Sequence, residues 1–202
     1  MKKSTITQNN ILTAAEKIFS EKGLYGARID EIAKCAGCNK RMIYEHFGSK
    51  DNLYIAVLDA VYSRLSLSEK ALLETEYDTV ETIRHYIRHL FTFLKNNPTF
   101  VKMVMWENLN EAEYMKKSGA ANLKSISGQL LKTVLQRGID EGVFKKDINI
   151  KEIIVSINMF CFSCFSNVYT MTNIMNINFF NNDELDEQCD YITEIILNYI
   201  LG

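Results

Sequence analysis

The amino-acid sequence predicts an all-α fold. Apolar residues recur at spacings of three and four in most of the chain, which is the period of an amphipathic helix. The 202 residues include one proline and nine glycines, so few positions break a helix. A chain of this length can bury a substantial core and form one or two small domains.

The first helix is predicted over residues 7–22. Its buried stripe consists of Ile11, Ala15, Ile18 and Phe19. Gly23 follows as a helix stop, because glycine tolerates the left-handed conformation at the end of a helix. Residues 24–27 are then predicted to be a short connection.

The stretch from Ile29 to Lys50 predicts two short helices joined by a tight turn. The first of them has one apolar face, formed by Ile29, Ile32, Ala33 and Ala36. Gly37 ends this helix, and the Asn39 side chain can cap the next one by accepting a hydrogen bond from a free backbone N–H.

The second short helix is predicted to bury Ile43 and Phe47 and to end at Gly48. Its other face carries Asn39, Lys40, Arg41, Met42 and Tyr44. A polar and basic face of this kind suits a helix that lies in the major groove of DNA. The alternative is a helical hairpin with a solvated basic face.

A long helix capped by Ser49 is predicted from Lys50 to about Leu73. Asp78 can cap another helix that runs to Lys95, and Pro98 then disfavours helix in the residue before it. The remaining helical segments are predicted at residues 99–108, 112–117, 122–141, 149 or 150 to 175, and 183–201. The last two long helices are unusually apolar, so they are expected to be buried on several sides.

The charges are divided unevenly along the chain. Residues 1–50 hold nine Lys or Arg against five Asp or Glu, whereas the remaining residues hold fourteen against twenty. A basic N-terminal part on an acidic body suits a protein whose N-terminal part meets phosphate, although chance variation would give a similar difference.

Residues 5–60 resemble the DNA-binding domain of TetR-family transcriptional regulators. The matching residues are Ala14, Ala15, Phe19, Lys22, Gly23, Ile32, Ala33, Ala36, Gly37, Tyr44, His46, Phe47, Ser49, Lys50 and Leu53. The resemblance implies a three-helix helix-turn-helix DNA-binding domain, residues 1–50. A long helix would join it to a helical ligand-binding and dimerisation domain, residues 51–202.

The second short helix then becomes the recognition helix. Arg41 offers a bidentate fork to guanine O6 and N7, and Met42 offers an apolar contact to a thymine methyl group. Lys40, Tyr44 and His46 are better suited to phosphate, which fixes the register without reading sequence. For each of these residues, an exposed side chain without a DNA contact is the alternative.

Three further residues, Arg28, Lys50 and Asn39, complete the predicted DNA surface. Arg28 stands where the family often has a capping Ser or Thr, and it could reach a phosphate or remain solvated. Lys50 lies near a helix N-terminus that already favours an anion. Asn39 is both a cap and a candidate contact. Glu45 would be repelled by phosphate, so we expect it to point away from the DNA backbone.

The resemblance also implies a homodimer formed through the last two helices, with a monomer that buries these faces internally as the alternative. A symmetric dimer would place two recognition helices in successive major grooves, about 34 Å apart, and would bind a palindromic double-stranded DNA operator. The implied function is that of a sequence-specific regulator, and specifically a repressor released by a small-molecule effector.

The effector itself is not identified by the sequence. The resemblance places its site among the helices of the body, where small-molecule pockets tend to be apolar with a few polar groups. The candidate lining residues are Tyr86, Phe93, Met103, Trp106, Asn158 and Phe162. Each of them could instead be an ordinary core residue.

Two C-x-x-C pairs leave open a metal-sensing or redox-sensing alternative. The pairs are Cys35 with Cys38 and Cys161 with Cys164. They are over 120 residues apart and the second lies in an apolar helix, so packing is the favoured interpretation. His85 and His89 lie one helical turn apart, but no third ligand accompanies them, which favours a solvated face.

No nucleophile elbow, phosphate-binding glycine loop or paired-carboxylate pattern is present, which argues against an enzyme. No cofactor or metal is expected. The first ten residues lack an apolar signal region and no apolar run is long enough for a membrane span. We therefore expect a cytoplasmic protein with reduced thiols and no membrane partner.

Overall fold

The all-α prediction is confirmed by the structure, a computed structural model. It describes the backbone of residues 2–75, 77–175 and 181–202, and all of their side chains except those of residues 2–6 and 120–127. The helices are α1 (Lys2–Gly26), α2 (Ile29–Ala36), α3 (Lys40–Phe47), α4 (Lys50–Leu73), α5 (Thr79–Asn96), α6 (Pro98–Leu109), α7 (Ala120–Asp140), α8 (Ile150–Ser166), α9 (Val168–Met175) and α10 (Asn182–Ile200). A 3₁₀ turn, Met115–Lys117, lies between α6 and α7.

The chain forms two compact units, and each is discontinuous in sequence. Unit 1 consists of Met1–Arg64 with Thr99–Leu123, and unit 2 consists of Leu65–Pro98 with Lys124–Gly202. The sequence placed a domain boundary after residue 50, at the start of α4, and the two units divide further along the same helix, after Arg64. The first half of α4 joins unit 1 because its apolar side chains Leu53, Tyr54, Val57, Leu58 and Val61 are buried in that core.

The sequence predicted that the first helix ends at residue 22. Helix α1 instead kinks at Gly23 and continues to Gly26. Gly23 has φ 66° and ψ 178°, which a glycine adopts without the strain that a side chain would bring. The turn after the kink is retained because Leu24 is buried in the core of unit 1.

The kink creates room for the indole of Trp106 on α6. A Cβ on Gly23 would lie 2.8 Å from the Trp106 ring, so only glycine fits at this position. The Trp106 Nε1–H donates a hydrogen bond to the Ser20 carbonyl oxygen at 3.2 Å. At the other end of α6, the Thr99 hydroxyl donates to Glu16 on α1. Helix α6 is thereby held to α1 at both of its ends.

A buried carboxylate connects α6 to the chain that follows it. Glu107 is 4% exposed, and its Oε2 accepts a hydrogen bond from the Met115 backbone N–H at 2.7 Å. The Tyr54 hydroxyl lies beside this carboxylate, and burial together with the negative charge of Glu107 raises the pKa of Tyr54. The Glu107 side chain therefore fixes the 3₁₀ turn against α4 within unit 1.

In unit 2, α5 packs against both α8 and α10. Six apolar side chains that recur at helical spacing in α5 are buried: Ile83, Tyr86, Ile87, Leu90, Phe93 and Leu94. Asp78 caps the helix as predicted, with its carboxylate accepting from the Glu81 N–H at 2.9 Å. On the surface, Arg84 pairs with Glu194 of α10 at 3.1 Å. The core of unit 2 therefore consists mainly of the apolar faces of these three helices.

The prediction of one helix from residue 149 or 150 to residue 175 is wrong. The helix begins where expected, at Ile150, and Asn149 caps it by accepting a bond from the Glu152 N–H at 3.3 Å. Asn167 ends α8, and α9 continues after a bend of 76°. The apolar spacing continues past Asn167, but α9 buries none of its residues, so no shared core holds the two segments straight.

Among the described residues, no single helix is long and apolar enough to cross a membrane, and only α8 and α9 taken together across their bend reach that length and composition.

A close contact inside unit 2 gives a stability prediction. An ideal Cβ on Gly138 would lie 2.2 Å from the Phe144 ring. We expect Gly138→Ala to lower the free energy of unfolding by about 1–3 kcal/mol, because the buried ring must shift. Urea denaturation followed by circular dichroism measures this difference.

Gly128→Ala is the matched control, because both glycines lie in α7 and nothing lies within 4 Å of a Cβ built on Gly128. It should leave stability unchanged or raise it by up to about 1 kcal/mol through helix propensity. Equal effects of the two substitutions would contradict the proposed role of the Phe144 contact.

Candidate nucleic-acid interface

The turn between α2 and α3 has the local chemistry that the sequence predicted. Gly37 ends α2 in the left-handed region, with φ 64° and ψ 32°. The Cys38 N–H returns to the Ala33 carbonyl oxygen at 3.0 Å, which closes the helix end. The Asn39 Oδ1 then accepts from the Arg41 N–H at 2.9 Å, so α3 begins with a satisfied N-terminus.

Helix α3 is held in unit 1 by one side and exposes the other. Ile43 is fully buried and Phe47 is half-buried, whereas Arg41 and Tyr44 are exposed and Met42 and His46 are half-buried. The Asn39 side chain is exposed, and its Oδ1 is used by the cap while its amide NH₂ remains a donor. The predicted recognition helix therefore presents its basic and apolar candidates outward.

Two ion pairs lie on this exposed surface. Arg41 Nε donates to Glu45 Oε1 at 2.7 Å, and the two side chains are 84% and 56% exposed. Lys40 Nζ lies 3.3 Å from Asp30 Oδ1 on α2. Glu45 therefore pairs with Arg41, the predicted base-reading residue, on the same face of α3.

Arg28 and Lys50 lie at helix starts. Arg28 is the N-cap residue of α2 and its side chain makes no capping bond, as expected of an arginine. Lys50 is half-buried, and its Nζ donates to the Ala27 carbonyl oxygen at 3.1 Å. This bond holds the start of α4 to the chain before α2, and it directs the Lys50 ammonium away from open solvent.

The predicted effector residues fall in both units. Tyr86, Phe93, Asn158 and Phe162 belong to unit 2, whereas Met103 and Trp106 belong to unit 1. Met103 is fully buried in unit 1, and Trp106 is held at the kink of α1. The structure assigns these two residues to the packing of unit 1.

Within unit 2, Tyr86 contacts both Asn158 and Glu69, and the sequence did not identify Glu69 as a site residue. Glu69 on α4 is fully buried, and its Oε1 accepts from the Tyr86 hydroxyl at 2.9 Å. Burial raises the pKa of Tyr86, the charge of Glu69 raises it further, and a hydrogen bond from Asn158 opposes the shift. Glu69 interrupts an apolar pattern in α4, which was the one available signal in the sequence.

Four cysteines, Cys38, Cys161, Cys164 and Cys189, lack the surroundings of reactive thiols, whereas Cys35 is exposed. All five are free. Burial raises the pKa of Cys38 and Cys161, and it raises the pKa of Cys164 and Cys189 to about 11, so these thiols stay protonated at neutral pH. In the part of the chain that the structure describes, no group of three or more His, Cys, Asp or Glu side chains could hold a metal ion.

The two predicted metal-spaced histidines make separate contacts. The His85 ring lies 4.6 Å from the Tyr77 ring and its Nε2 lies 3.8 Å from Glu81 Oε2. His89 Nε2 lies 3.0 Å from the Ser68 hydroxyl. Each ring therefore has its own neighbours, and the two do not share a ligand.

An exposed apolar surface covers parts of α8 and α10. Its large side chains, all more than one-third exposed, are Val155, Met159, Phe160, Tyr191, Ile195 and Tyr199. A groove between the two helices is lined by residues of this surface, including Phe160, Ile195 and Tyr199. Exposed apolar side chains that are grouped on neighbouring helices mark an interaction surface.

Comparisons with known proteins find regulators for both parts of the chain. Residues 11–57 match the family model described as bacterial regulatory proteins, tetR family, and residues 80–196 match the tetracyclin repressor-like C-terminal domain. The chain is 30% identical over 194 residues to the HTH-type transcriptional repressor NicS of Pseudomonas putida, an alignment that covers 95% of this chain and 91% of NicS.

Solved structures show the same fold. A putative fatty acid metabolism regulator from Clostridium perfringens superposes with a TM-score of 0.76 at 21% identity, over 96% of this chain and 99% of that chain. A mutant of the protein HlyIIR superposes with a TM-score of 0.69 at 26% identity, over 98% of this chain and 97% of that chain.

The cap at the start of α3 gives a second prediction. Asn39→Ala leaves backbone N–H groups at the start of α3 unpaired, so we expect it to lower the free energy of unfolding by about 1 kcal/mol. Asn39→Ser keeps a side-chain acceptor and should retain most of that stability. Thermal unfolding of both variants measures the effect, and equal losses would argue against the capping role.

Proposed function

Since the chain belongs to the TetR family of DNA-binding transcriptional regulators, we propose that it is a repressor that a small-molecule effector releases from a palindromic operator. Members of this family are transcriptional regulators and generally not enzymes. The proposed sign of regulation follows NicS, a repressor by name that aligns with nearly the whole chain. The proposed site of action is chromosomal DNA in the cytoplasm.

The observation that carries the DNA-reading proposal is the capped, half-buried α3 with Arg41 on its exposed side. Arg41 is 84% exposed, so its guanidinium can reach a guanine without moving the core of unit 1. Met42 would contact a thymine methyl group beside it. Lys40, Tyr44 and His46 would contact phosphate and fix the register of the helix in the groove.

Arg28 and Lys50 have secondary roles in this proposal. Arg28 is exposed and could reach a phosphate near the start of α2. Lys50 contributes its charge from a half-buried position, since its Nζ is bound to the Ala27 carbonyl. Asn39 supports α3 as its cap, which is a positioning role and not a base contact.

The proposal is tested first by operator selection. Purified full-length protein is incubated with a random double-stranded DNA pool at a stated salt concentration, because affinity depends steeply on salt. We expect a palindrome whose half-sites lie about one helical turn apart. Failure of any sequence to become enriched would contradict the assignment of α3 as a reading helix.

Arg41→Ala tests the central contact. We expect it to weaken operator binding by about 1–3 kcal/mol and to relax sequence preference at one position of each half-site. Lys102→Ala is the control, because it removes one exposed positive charge from α6 of the same unit. Fluorescence anisotropy with the selected operator measures both, and unchanged affinity in Arg41→Ala would refute the guanine contact.

We propose that the exposed apolar surface of α8 and α10 is the homodimer interface. Burial of Met159, Phe160 and Ile195 against a second copy would remove these side chains from water, and apolar burial contributes about 25 cal/mol per Å². A symmetric contact of this kind uses the same surface on both copies.

Phe160→Asp tests the interface. A carboxylate at this position would be desolvated in the dimer, so we expect the variant to sediment as a monomer where the wild-type chain sediments at twice the chain mass. Leu109→Asp adds the same charge at an exposed apolar position of unit 1 and should leave the mass unchanged. A dimeric Phe160→Asp variant would place the interface elsewhere.

For the effector, the described contacts favour a site in unit 2 that includes Tyr86 and Asn158, with Glu69 as a third polar group. Phe93 and Phe162, from α5 and α8, would supply apolar contacts. A ligand in this unit can act on operator binding only by binding one conformation of the protein more tightly than the other.

A further inference from the structure

We propose that Glu45 reads a cytosine in the operator and, with Arg41, forms a preassembled pair that determines specificity. The inference rests on the proposed role of α3 as the reading helix. It gives Glu45 a function on the DNA side of α3, although the sequence alone suggested only that a carboxylate would avoid the phosphate backbone.

The position of Glu45 around the helix is the first argument. Successive residues of an α-helix are rotated by about 100°. Ile43 and Phe47 mark the side that faces the core, and Glu45 lies about 180° from the midpoint between them, with Arg41 at about 140°. Lys40 lies at about 40° from that midpoint, on the core-facing side, and its side chain is 61% exposed at the start of the helix. Glu45 therefore projects most directly outward, where the floor of a groove would lie.

The geometry of the ion pair is the second argument. Glu45 Oε1 accepts from Arg41 Nε at 2.7 Å, so the pair leaves both terminal amino groups of the guanidinium free of Glu45. Those two groups form the fork that matches guanine O6 and N7. Glu45 thereby orients Arg41 for guanine without competing for the atoms that would read it.

The electrostatics of α3 are the third argument. A helix favours negative charge at its N-terminus and positive charge at its C-terminus, and an acid placed before a base is the better order for a pair four residues apart. Here Arg41 lies in the first turn and Glu45 lies toward the C-terminus. The pair is thus oriented against the helix dipole, so helix stability does not explain it.

The chemistry of a carboxylate selects the base. An ionised carboxylate only accepts hydrogen bonds, and cytosine N4 offers a donor in the major groove. Guanine presents O6 and N7 and thymine presents O4, all of them acceptors that would repel Glu45. Adenine offers its N6 donor next to the N7 acceptor, which is a poorer match for two carboxylate oxygens than for an amide.

The test compares the base preference of wild-type protein with that of Glu45→Gln and Glu45→Ala, by selection from one random DNA pool at one salt concentration. The wild-type chain should select a cytosine close to the guanine whose selection depends on Arg41. Glu45→Gln should change that cytosine to adenine, because an amide pairs with adenine N6 and N7. Glu45→Ala should accept all four bases there, with discrimination reduced about tenfold.

Glu21→Gln is the matched control, because it removes one exposed carboxylate of unit 1 outside α3 and should leave the selected sequence unchanged. A base preference that is the same in wild type, Glu45→Gln and Glu45→Ala overturns the proposal. So does a uniform gain in affinity for all sequences, which would mark Glu45 as a general repulsive charge. If the wild-type chain enriches no sequence, the reading role of α3 fails first and this inference fails with it.

Discussion

The contact between the Trp106 indole and the backbone at Gly23 joins two parts of the sequence into one core. The contact excludes a Cβ on Gly23 and explains why α1 kinks where the chain turns toward α2. The half-buried indole N–H donates to the Ser20 carbonyl oxygen, which satisfies the one polar group of the ring. Because Thr99 also contacts α1, residues 99–123 are part of the unit that carries the helix-turn-helix.

The reading helix depends on that core for its stability. An eight-residue helix is too short to be stable alone in water, so α3 needs its Asn39 cap and the burial of Ile43. Because the cap and the buried side chain stabilise α3, the helix can carry Arg41 and Glu45 even though their charges oppose its dipole. The surface that would meet DNA can therefore be chosen for recognition, while stability comes from the cap and the opposite face.

Much of the fold was predictable because helix boundaries are set by local chemistry. Gly37, Asn39 and Asp78 all act as the sequence indicated, through left-handed backbone or side-chain caps. The bend at Asn167 was not predictable, since apolar periodicity continues past it and the missing information is the lack of a core under α9.

The sites were less predictable than the helices. The exposed face of α3 follows from spacing, but the pairing of Arg41 with Glu45 depends on side-chain geometry. Glu69 was missed because a single acid in an apolar pattern resembles an exposed residue until the packing of three helices is known. The contact of Trp106 with Gly23, a partner more than eighty positions away, was also not predictable, because only the fold brings these residues together.

The discontinuity of unit 1 has a consequence for how the chain folds during synthesis. Domains generally fold as units, from the N-terminus, as they leave the ribosome. Here Met1–Arg64 emerges well before Thr99–Leu123, and the intervening segment belongs to unit 2. The nascent helix-turn-helix must therefore wait, with the Gly23 surface uncovered, until Trp106 has been synthesised. Such long-range closure is slow compared with local helix formation.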